Sequence, residues 1–319
     1  LDCVQCYLGP HGGLDAARGP EMSTAQIRGV LDQAAAAGCL KLLITGGEPM
    51  IRDDFAQVYR HARTRGMVVT VFTNGTLVSD EITELFMELP PLMVEITLYG
   101  ATAGTHDAVT GVTGSFRKSV DGIEYLLTRG IGVGLKTMLM TLNRHELQAM
   151  KAMAVDYGTK FRFDPLLFPR FNGDRAVLDL RVPPPEAVEK EMEDRDSLRA
   201  WREYYEDRKD LPPSDRLYNC GAGLTSFHID PYGSLHPCLM TPWYGYDVLR
   251  DSFEVAWEAV AAMRELKPGE GYQCGSCSNR VLCGLCPALA MLEQGTEEGL
   301  SEYVCAFGDL RREAIQQRV

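Results

Sequence analysis

The sequence predicts an α/β fold, a parallel sheet with crossover helices, followed by a cysteine-rich C-terminal region. Three observations carry this reading. Over the first 165 residues apolar stripes of helical period alternate with short apolar or alternating runs. Several of those runs carry polar or small residues on one face only. Seven of the ten cysteines fall in the last hundred residues, mostly in C-x2-C pairs.

The first helix is announced by Ser23-Thr24-Ala25-Gln26, a capping box, with apolar residues at Ile27, Val30, Leu31 and Ala34 and Gly38 as a stop. A strand over Leu40 to Thr45 comes next. A helix over Asp53 to Arg65, a strand Val68 to Thr73, a helix Ser79 to Glu88 and a strand Met93 to Tyr99 repeat the pattern. A helix Ser115 to Arg129 buries Phe116, Val120, Ile123 and Leu127 and stops at Gly130. Strand Ile131 to Met140, helix Arg144 to Tyr157 and strand Phe161 to Asp164 complete the series. Such alternation fits a doubly wound sheet or a barrel. The strands favour the barrel. Val94, Ile96 and Leu98 alternate with Glu95, Thr97 and Tyr99, and Val133 and Leu135 with Gly134 and Lys136. Arg162 and Asp164 share one face of the last strand. A polar inner face suits a wide, partly open barrel holding a ligand, and a sheet with one solvated face is the plainer alternative. Phe168 to Leu178 reads as a loop, and Pro183 to Asp210 as a charged helical bridge with a solvated face.

The chain has 319 residues, 45% apolar and 24% charged, with 32 Lys plus Arg against 44 Asp plus Glu and a net charge of −12. That charge disfavours a nucleic-acid binder, whose affinity rests on basic side chains. No run approaches the ~20 apolar residues of a membrane span, and a cytoplasmic protein is expected. Disulfides belong mostly to small secreted domains; the C-terminal cysteines leave zinc and iron–sulfur ligation open. Cys39, among apolar neighbours, is expected to be a buried core thiol.

Cys3-Val4-Gln5-Cys6-Tyr7 and Thr45-Gly46-Gly47-Glu48-Pro49, with Thr73-Asn74-Gly75 and Thr97-Leu98-Tyr99-Gly100 at later strand ends, together resemble the radical S-adenosylmethionine (radical SAM) superfamily. Its signature is C-x3-C-x2-C. Cys3 and Cys6 match the second and third cysteines and Tyr7 the following aromatic. The first would lie two residues before Leu1, so the chain is expected to start inside the motif and to lack the first barrel strand. The resemblance implies a partial (β/α)6 TIM-like barrel over residues 1–167, with Cys3 and Cys6 on a [4Fe–4S] cluster. It also implies that Gly46, Gly47, Glu48 and Pro49 bind the methionine amino group of S-adenosylmethionine. Asn74, Thr97 and Lys136 are further cofactor contacts on this reading, with a strand-end surface lysine as the plain alternative for Lys136.

The C-terminal pattern is Cys220, twelve residues, Gly233, four residues, Cys238; then Cys274-x2-Cys277-x5-Cys283-x2-Cys286; then Cys305. It resembles the SPASM extension of these enzymes, departing only in x2 for x3 before Cys286. The resemblance implies a bridge over 168–217 and a SPASM domain over 218–319 with a β-hairpin flanked by His228 and His236. Auxiliary cluster I would take Cys220, Cys238 and Cys286, and auxiliary cluster II Cys274, Cys277, Cys283 and Cys305, giving three [4Fe–4S] clusters in all. The implied enzyme modifies a ribosomally made precursor peptide, with a reductase such as flavodoxin or ferredoxin supplying electrons. A Cys sulfur-to-carbon thioether is the expected product. Carbon–carbon cross-linking or oxidative decarboxylation in redox-cofactor biosynthesis is the alternative. Sulfatase maturation fits less well, because that branch carries Asp directly after the second SPASM cysteine and this chain has Leu239. A zinc-binding module without catalysis is the reading from another class.

Overall fold

A computed structural model describes residues 1–9, 19–212 and 214–317. The chain divides into two units. The first holds residues 1–164, 231–234 and 247–256; the second holds residues 165–230, 235–246 and 257–319.

In the first unit α1 (Thr24–Ala36) starts on the complete capping box of Ser23 and Gln26. Then follow β1 (Lys41–Ile44), α2 (Phe55–Thr64), β2 (Val68–Thr73), α3 (Asp80–Glu88) and β3 (Met93–Thr97). Two helices, α4 (Ala103–Thr110) and α5 (Ser115–Thr128), precede β4 (Val133–Met138), α6 (Leu147–Asp156) and β5 (Lys160–Asp164). All four strand pairings are parallel and the sheet order is β1-β2-β3-β4-β5. A doubly wound sheet reverses its strand order partway. This one advances in a single direction, and same-handed crossovers then put every helix on one face. Burial agrees. Val69, Val71, Val94, Ile96, Leu135, Tyr59, Phe86, Ile123, Leu126, Leu147 and Met150 are almost wholly buried. The opposite face carries Thr70 and Phe72, Glu95 and Thr97, Lys136 and Met138, and Arg162 and Asp164, all at least partly open. The register runs Thr97 beside Lys136 beside Arg162.

One sequence expectation fails here, and one helix was not anticipated. Cys39 is only half buried, its thiol turned to the Lys41 carbonyl at 3.5 Å, and Leu40 beside it is exposed. The helix α4 has no apolar stripe to announce it; Thr102 caps it and Glu146 clasps its first turn.

The second unit has few strands. His228–Ile229 (β6) pairs antiparallel with Leu235–His236 of β7 (Ser234–His236), so the expected hairpin forms. Its turn glycine, Gly233, has φ +88° and would put a Cβ 2.7 Å from Leu249, which accounts for glycine at that place in the cysteine pattern. The charged bridge is two helices, α7 (Pro184–Met192) and α8 (Arg195–Glu206). It is not wholly a solvated face. Glu191 is buried and takes two bonds, 2.8 and 2.7 Å, from Arg311 of the C-terminal helix Glu302–Gln317. Arg311 also donates to the Leu282 carbonyl and stacks on Trp201 and Phe307.

Candidate active site at the strand ends and two cysteine groups

In the first unit the loops after the strands gather the residues of interest. Gly46 and Gly47 follow β1 with no heavy atom within 4 Å of a Cβ built on either. Both glycines are exposed, which leaves room for a ligand to come close to the backbone. Glu48 is the fastener of this end. Its carboxylate accepts from the Thr73 hydroxyl at 2.8 and 2.9 Å, the Asn74 N–H at 2.8 Å and the Met50 N–H at 3.1 Å. Burial pushes its carboxyl above the usual range against the opposing pull of these bonds. Pro49 opens the short 3-10 turn Pro49–Ile51, where a missing N–H costs nothing.

Asn74 is likewise occupied. Its Oδ1 accepts from the Thr76 N–H and hydroxyl at 2.8 and 2.6 Å, closing a turn. The turn lies close under α5. A Cβ on Gly122 would come 2.2 Å from the Gly75 carbonyl oxygen, and the Ser119 hydroxyl donates to the Asn74 carbonyl at 2.7 Å.

The cysteine loop docks on α4. The Asp2 N–H donates to the Thr110 carbonyl at 2.8 Å and the Val4 N–H to the Val109 carbonyl at 3.0 Å. Burial first, then the neighbouring Cys6, pushes the Cys3 thiol up to about 11. Tyr7 is pushed up to about 12 by burial and then by Cys6.

On the polar face Lys136 has a partner that spacing alone did not show. Its Nζ lies 3.7 Å from Glu95 and 2.9 Å above the Phe72 ring, and Arg162 shares the same carboxylate. Desolvation lowers the Lys136 ammonium to about 7, with Glu95 opposing and Arg162 adding to the shift. Thr97 is its register neighbour.

All ten cysteines are free thiols, which removes the disulfide reading. In the second unit they fall into two groups. Cys238 and Cys286 each feel Cys220, and Cys286 feels Cys238. Separately, Cys274 feels Cys305 and Cys277, Cys283 feels Cys274 and Cys277, and Cys305 feels Cys283 and Cys277. Burial is the first cause of the raised thiols in both groups, and their crowding adds to it. A bound cation inverts that balance and makes thiolates favourable. Backbone N–H groups already aim at four of the sulfurs: Met240 at Cys238, Asn279 at Cys277, Leu285 at Cys283 and Leu289 at Cys286, at 3.4–3.5 Å. Among the described residues no set of three His, Cys, Asp or Glu side chains closes to the spacing of a single ion. The donor set, all sulfur with N–H donors beside several of them, is one that an iron–sulfur group takes.

Comparison with known proteins agrees with this geometry. The profile of the Radical SAM superfamily matches residues 1–154. The mycofactocin maturase MftC of Mycobacterium ulcerans is 30% identical over 296 residues, spanning 89% of this chain and 78% of that protein. The chain belongs to the radical SAM superfamily. It is thus an enzyme of that superfamily, whose members use S-adenosylmethionine and a [4Fe–4S] cluster. The AdoMet-dependent heme synthase of Methanosarcina barkeri is 24% identical, over 92% of this chain and 90% of that one. Streptococcus suis SuiB, solved bound to the precursor peptide SuiA, superposes with TM-score 0.69 over 95% of this chain and 72% of its own, at 15% identity. That likeness concerns the fold. Among the described residues no helix is long and apolar enough to cross a membrane.

Sequence reasoning named Glu95 and Tyr99 only as polar residues of the strand face and strand end, and gave His106 and Glu146 no place. Tyr99 sits one residue past the paired end of β3, where barrel enzymes place their chemistry, and that position was the available signal.

Proposed function

We propose that this enzyme matures a ribosomally made peptide by joining a cysteine sulfur to a carbon as a thioether. The observation that carries this reading is the unequal size of the two cysteine groups. Cys274, Cys277, Cys283 and Cys305 can close a four-iron cluster, whereas Cys220, Cys238 and Cys286 leave one iron for an outside ligand. A substrate thiolate is the soft donor that such an iron prefers. A porphyrin, as a heme synthase would take, presents no such thiol. SuiB, with its precursor peptide, and the mycofactocin maturase supply the peptide analogy.

On this reading the first unit is the radical SAM partial barrel, residues 168–217 a bridge and residues 218–319 a SPASM domain. Cys3 and Cys6 would hold a cluster that, with S-adenosylmethionine bound, would supply radical chemistry at an unactivated carbon. The chain's own residues hold the reactants. Gly46 and Gly47, kept in place by Glu48 and Pro49, receive the methionine amino group. Tyr7, Asn74, Thr97 and Lys136 line the remainder of the cofactor, with Lys136 placed for its carboxylate or ribose. A flavodoxin or ferredoxin delivers the electron.

Anaerobic incubation of reconstituted full-length enzyme with reductant, S-adenosylmethionine and the peptide encoded beside the gene tests this. The expected product is two hydrogen atoms lighter, with one cysteine no longer alkylated by iodoacetamide. An unchanged mass for a Cys-containing peptide overturns it. The second reading, carbon–carbon linkage or oxidative decarboxylation, leaves every cysteine reactive; loss of carbon dioxide marks the decarboxylation. Elemental analysis near twelve iron and twelve sulfide per chain, about four of each per cluster, is expected; about two zinc would replace the enzyme reading of the second unit with a binding module.

A further inference from the structure

One carboxylate of the second unit collects three aromatic donors from segments that carry cysteines. Glu297 Oε1 accepts from the Tyr218 hydroxyl at 2.7 Å and from the Trp243 indole N–H at 3.0 Å, and its Oε2 accepts from the Tyr244 hydroxyl at 3.0 Å. Tyr218 stands two residues before Cys220, and Trp243 and Tyr244 stand five and six after Cys238. Glu297 itself follows the helix Pro287–Gln294, whose N-cap is Cys286. The stretches between ring and sulfur are fixed in turn. The Cys238 N–H donates to the Thr241 hydroxyl at 3.1 Å, and that hydroxyl donates to the Cys238 carbonyl at 2.9 Å. The Tyr244 N–H donates to the Thr241 carbonyl at 3.1 Å. Before Cys220, the Leu217 N–H donates to the Leu266 carbonyl at 2.8 Å, and Arg264 donates to the Cys220 carbonyl at 3.1 Å. On the helix that Cys286 caps, Glu293 is paired with Arg181. The rings of Tyr218, Trp243 and Tyr244 pack in one core with Cys238 and Cys286. A buried Tyr or Trp ordinarily finds a partner for its polar tip. Three that find the same carboxylate do more than satisfy themselves. Each ring turns on only two side-chain torsions, so fixing its tip fixes the backbone that bears it.

We propose that Glu297 is a positioning residue for the three-cysteine group, its carboxylate drawing the segments of Cys220, Cys238 and Cys286 together so that their sulfurs hold one cluster. This role presupposes those cysteines as cluster ligands, the reading under which the group leaves one iron open. The three sulfurs come from distant points of the chain, and gathering them costs loop-closure entropy that the clasp offsets in part. The group also has one ligand fewer than its four-cysteine neighbour, so its hold on metal leans more on what stands behind the ligands. All three donors to Glu297 belong to this group's own segments.

The test follows iodoacetamide alkylation, cysteine by cysteine and by mass spectrometry, in anaerobically reconstituted full-length enzyme held with an iron chelator. A sulfur bound to iron is shielded, so each rate reports loss of the group which that sulfur holds. Glu297→Ala removes the clasp. Alkylation of Cys220, Cys238 and Cys286 is expected to quicken about tenfold, while the four-cysteine group and Cys3 and Cys6 keep the parent's rates. Glu297→Gln is expected to rescue, with rates within about twofold of the parent's, because its amide oxygen accepts from Tyr218 and Trp243 and its NH2 donates to the Tyr244 oxygen. Tyr244→Phe deletes one donor and keeps the ring; it is expected to quicken the same three cysteines about threefold, and it serves if Glu297→Ala does not fold. Three results overturn the proposal and leave the cluster reading standing: unchanged rates in the variant that folds, equal quickening of both groups of the second unit, or Glu297→Gln as fast as Glu297→Ala. Reconstitution that leaves Cys220, Cys238 and Cys286 of the parent unshielded overturns both.

Discussion

The two units place sulfur in opposite ways. In the first, Cys3 and Cys6 sit on a loop laid over a finished scaffold: five paired strands, helices on one face, and a cysteine loop bonded to the carbonyls of Val109 and Thr110. In the second, the cysteines are part of the core. Cys238 and Cys286 pack against Leu217, Tyr218, Ala222, Met263 and Ala288, and Cys283 with Leu289 and Val304 forms a second small core. On the proposed reading of these cysteines as cluster ligands, a scaffold that precedes its ligands survives loss of the metal and a core made of ligands does not.

The sharpest break of this comparison is removal of iron. Anaerobic chelation is expected to erase amide protection around residues 217–238 and 273–286 by about a thousandfold or more in hydrogen exchange, while β1 to β5 change little. Equal loss in both units would refute the distinction. Next in size is the buried Glu191–Arg311 pair of the second unit. Glu191→Leu strands the Arg311 charge and is expected to cost about 3–5 kcal/mol in urea unfolding, and replacing both residues by Met recovers most of it.

A third test acts on the first unit alone. Burial lowers the His106 imidazole from its ordinary value to about 4. Its folded value lies below the unfolded one, so the neutral ring's contribution is complete above about pH 6.5 and is lost as the pH falls toward 4. Unfolding of the sheet followed at pH 7 and at pH 4.5 is expected to show up to about 3 kcal/mol of this loss, absent in His106→Gln. The smallest effect is local. Gly122→Ala must push the Gly75 carbonyl away, at about 1–3 kcal/mol, and a weakened affinity for S-adenosylmethionine by calorimetry would tie that turn to the cofactor.

Much of the first unit was legible because its strands and helices are amphipathic at the right period. Val94-Glu95-Ile96-Thr97 declares both faces of β3, and Ser23 with Gln26 marks a helix start. What stayed hidden depended on partners far along the chain. The helix Ala103–Thr110 went unannounced because it is held by Glu146, more than thirty residues away, and not by a stripe of its own. Cys39 looked like core from its neighbours, yet it lies where the chain turns from α1 into an edge strand. Glu191 looked solvated among like charges until Arg311 met it. The residues of the Gly-Gly-Glu-Pro turn stood together in the sequence, but the division of labour within it, a carboxylate that builds and glycines whose side-chain positions stay open, is a matter of three-dimensional contacts.

The one-way order of the sheet has a consequence for how this enzyme can change. Along each strand, every second residue answers to the helices behind it and the residues between answer to whatever the open face holds. A saturation library scored for folding is therefore expected to show intolerance at Val94, Ile96, Val133 and Leu135 and broad tolerance at Glu95, Thr97, Lys136 and Arg162, a two-residue rhythm. Specificity can drift along one parity while the other keeps the protein folded, which lets a single scaffold be re-addressed to new substrates without being rebuilt.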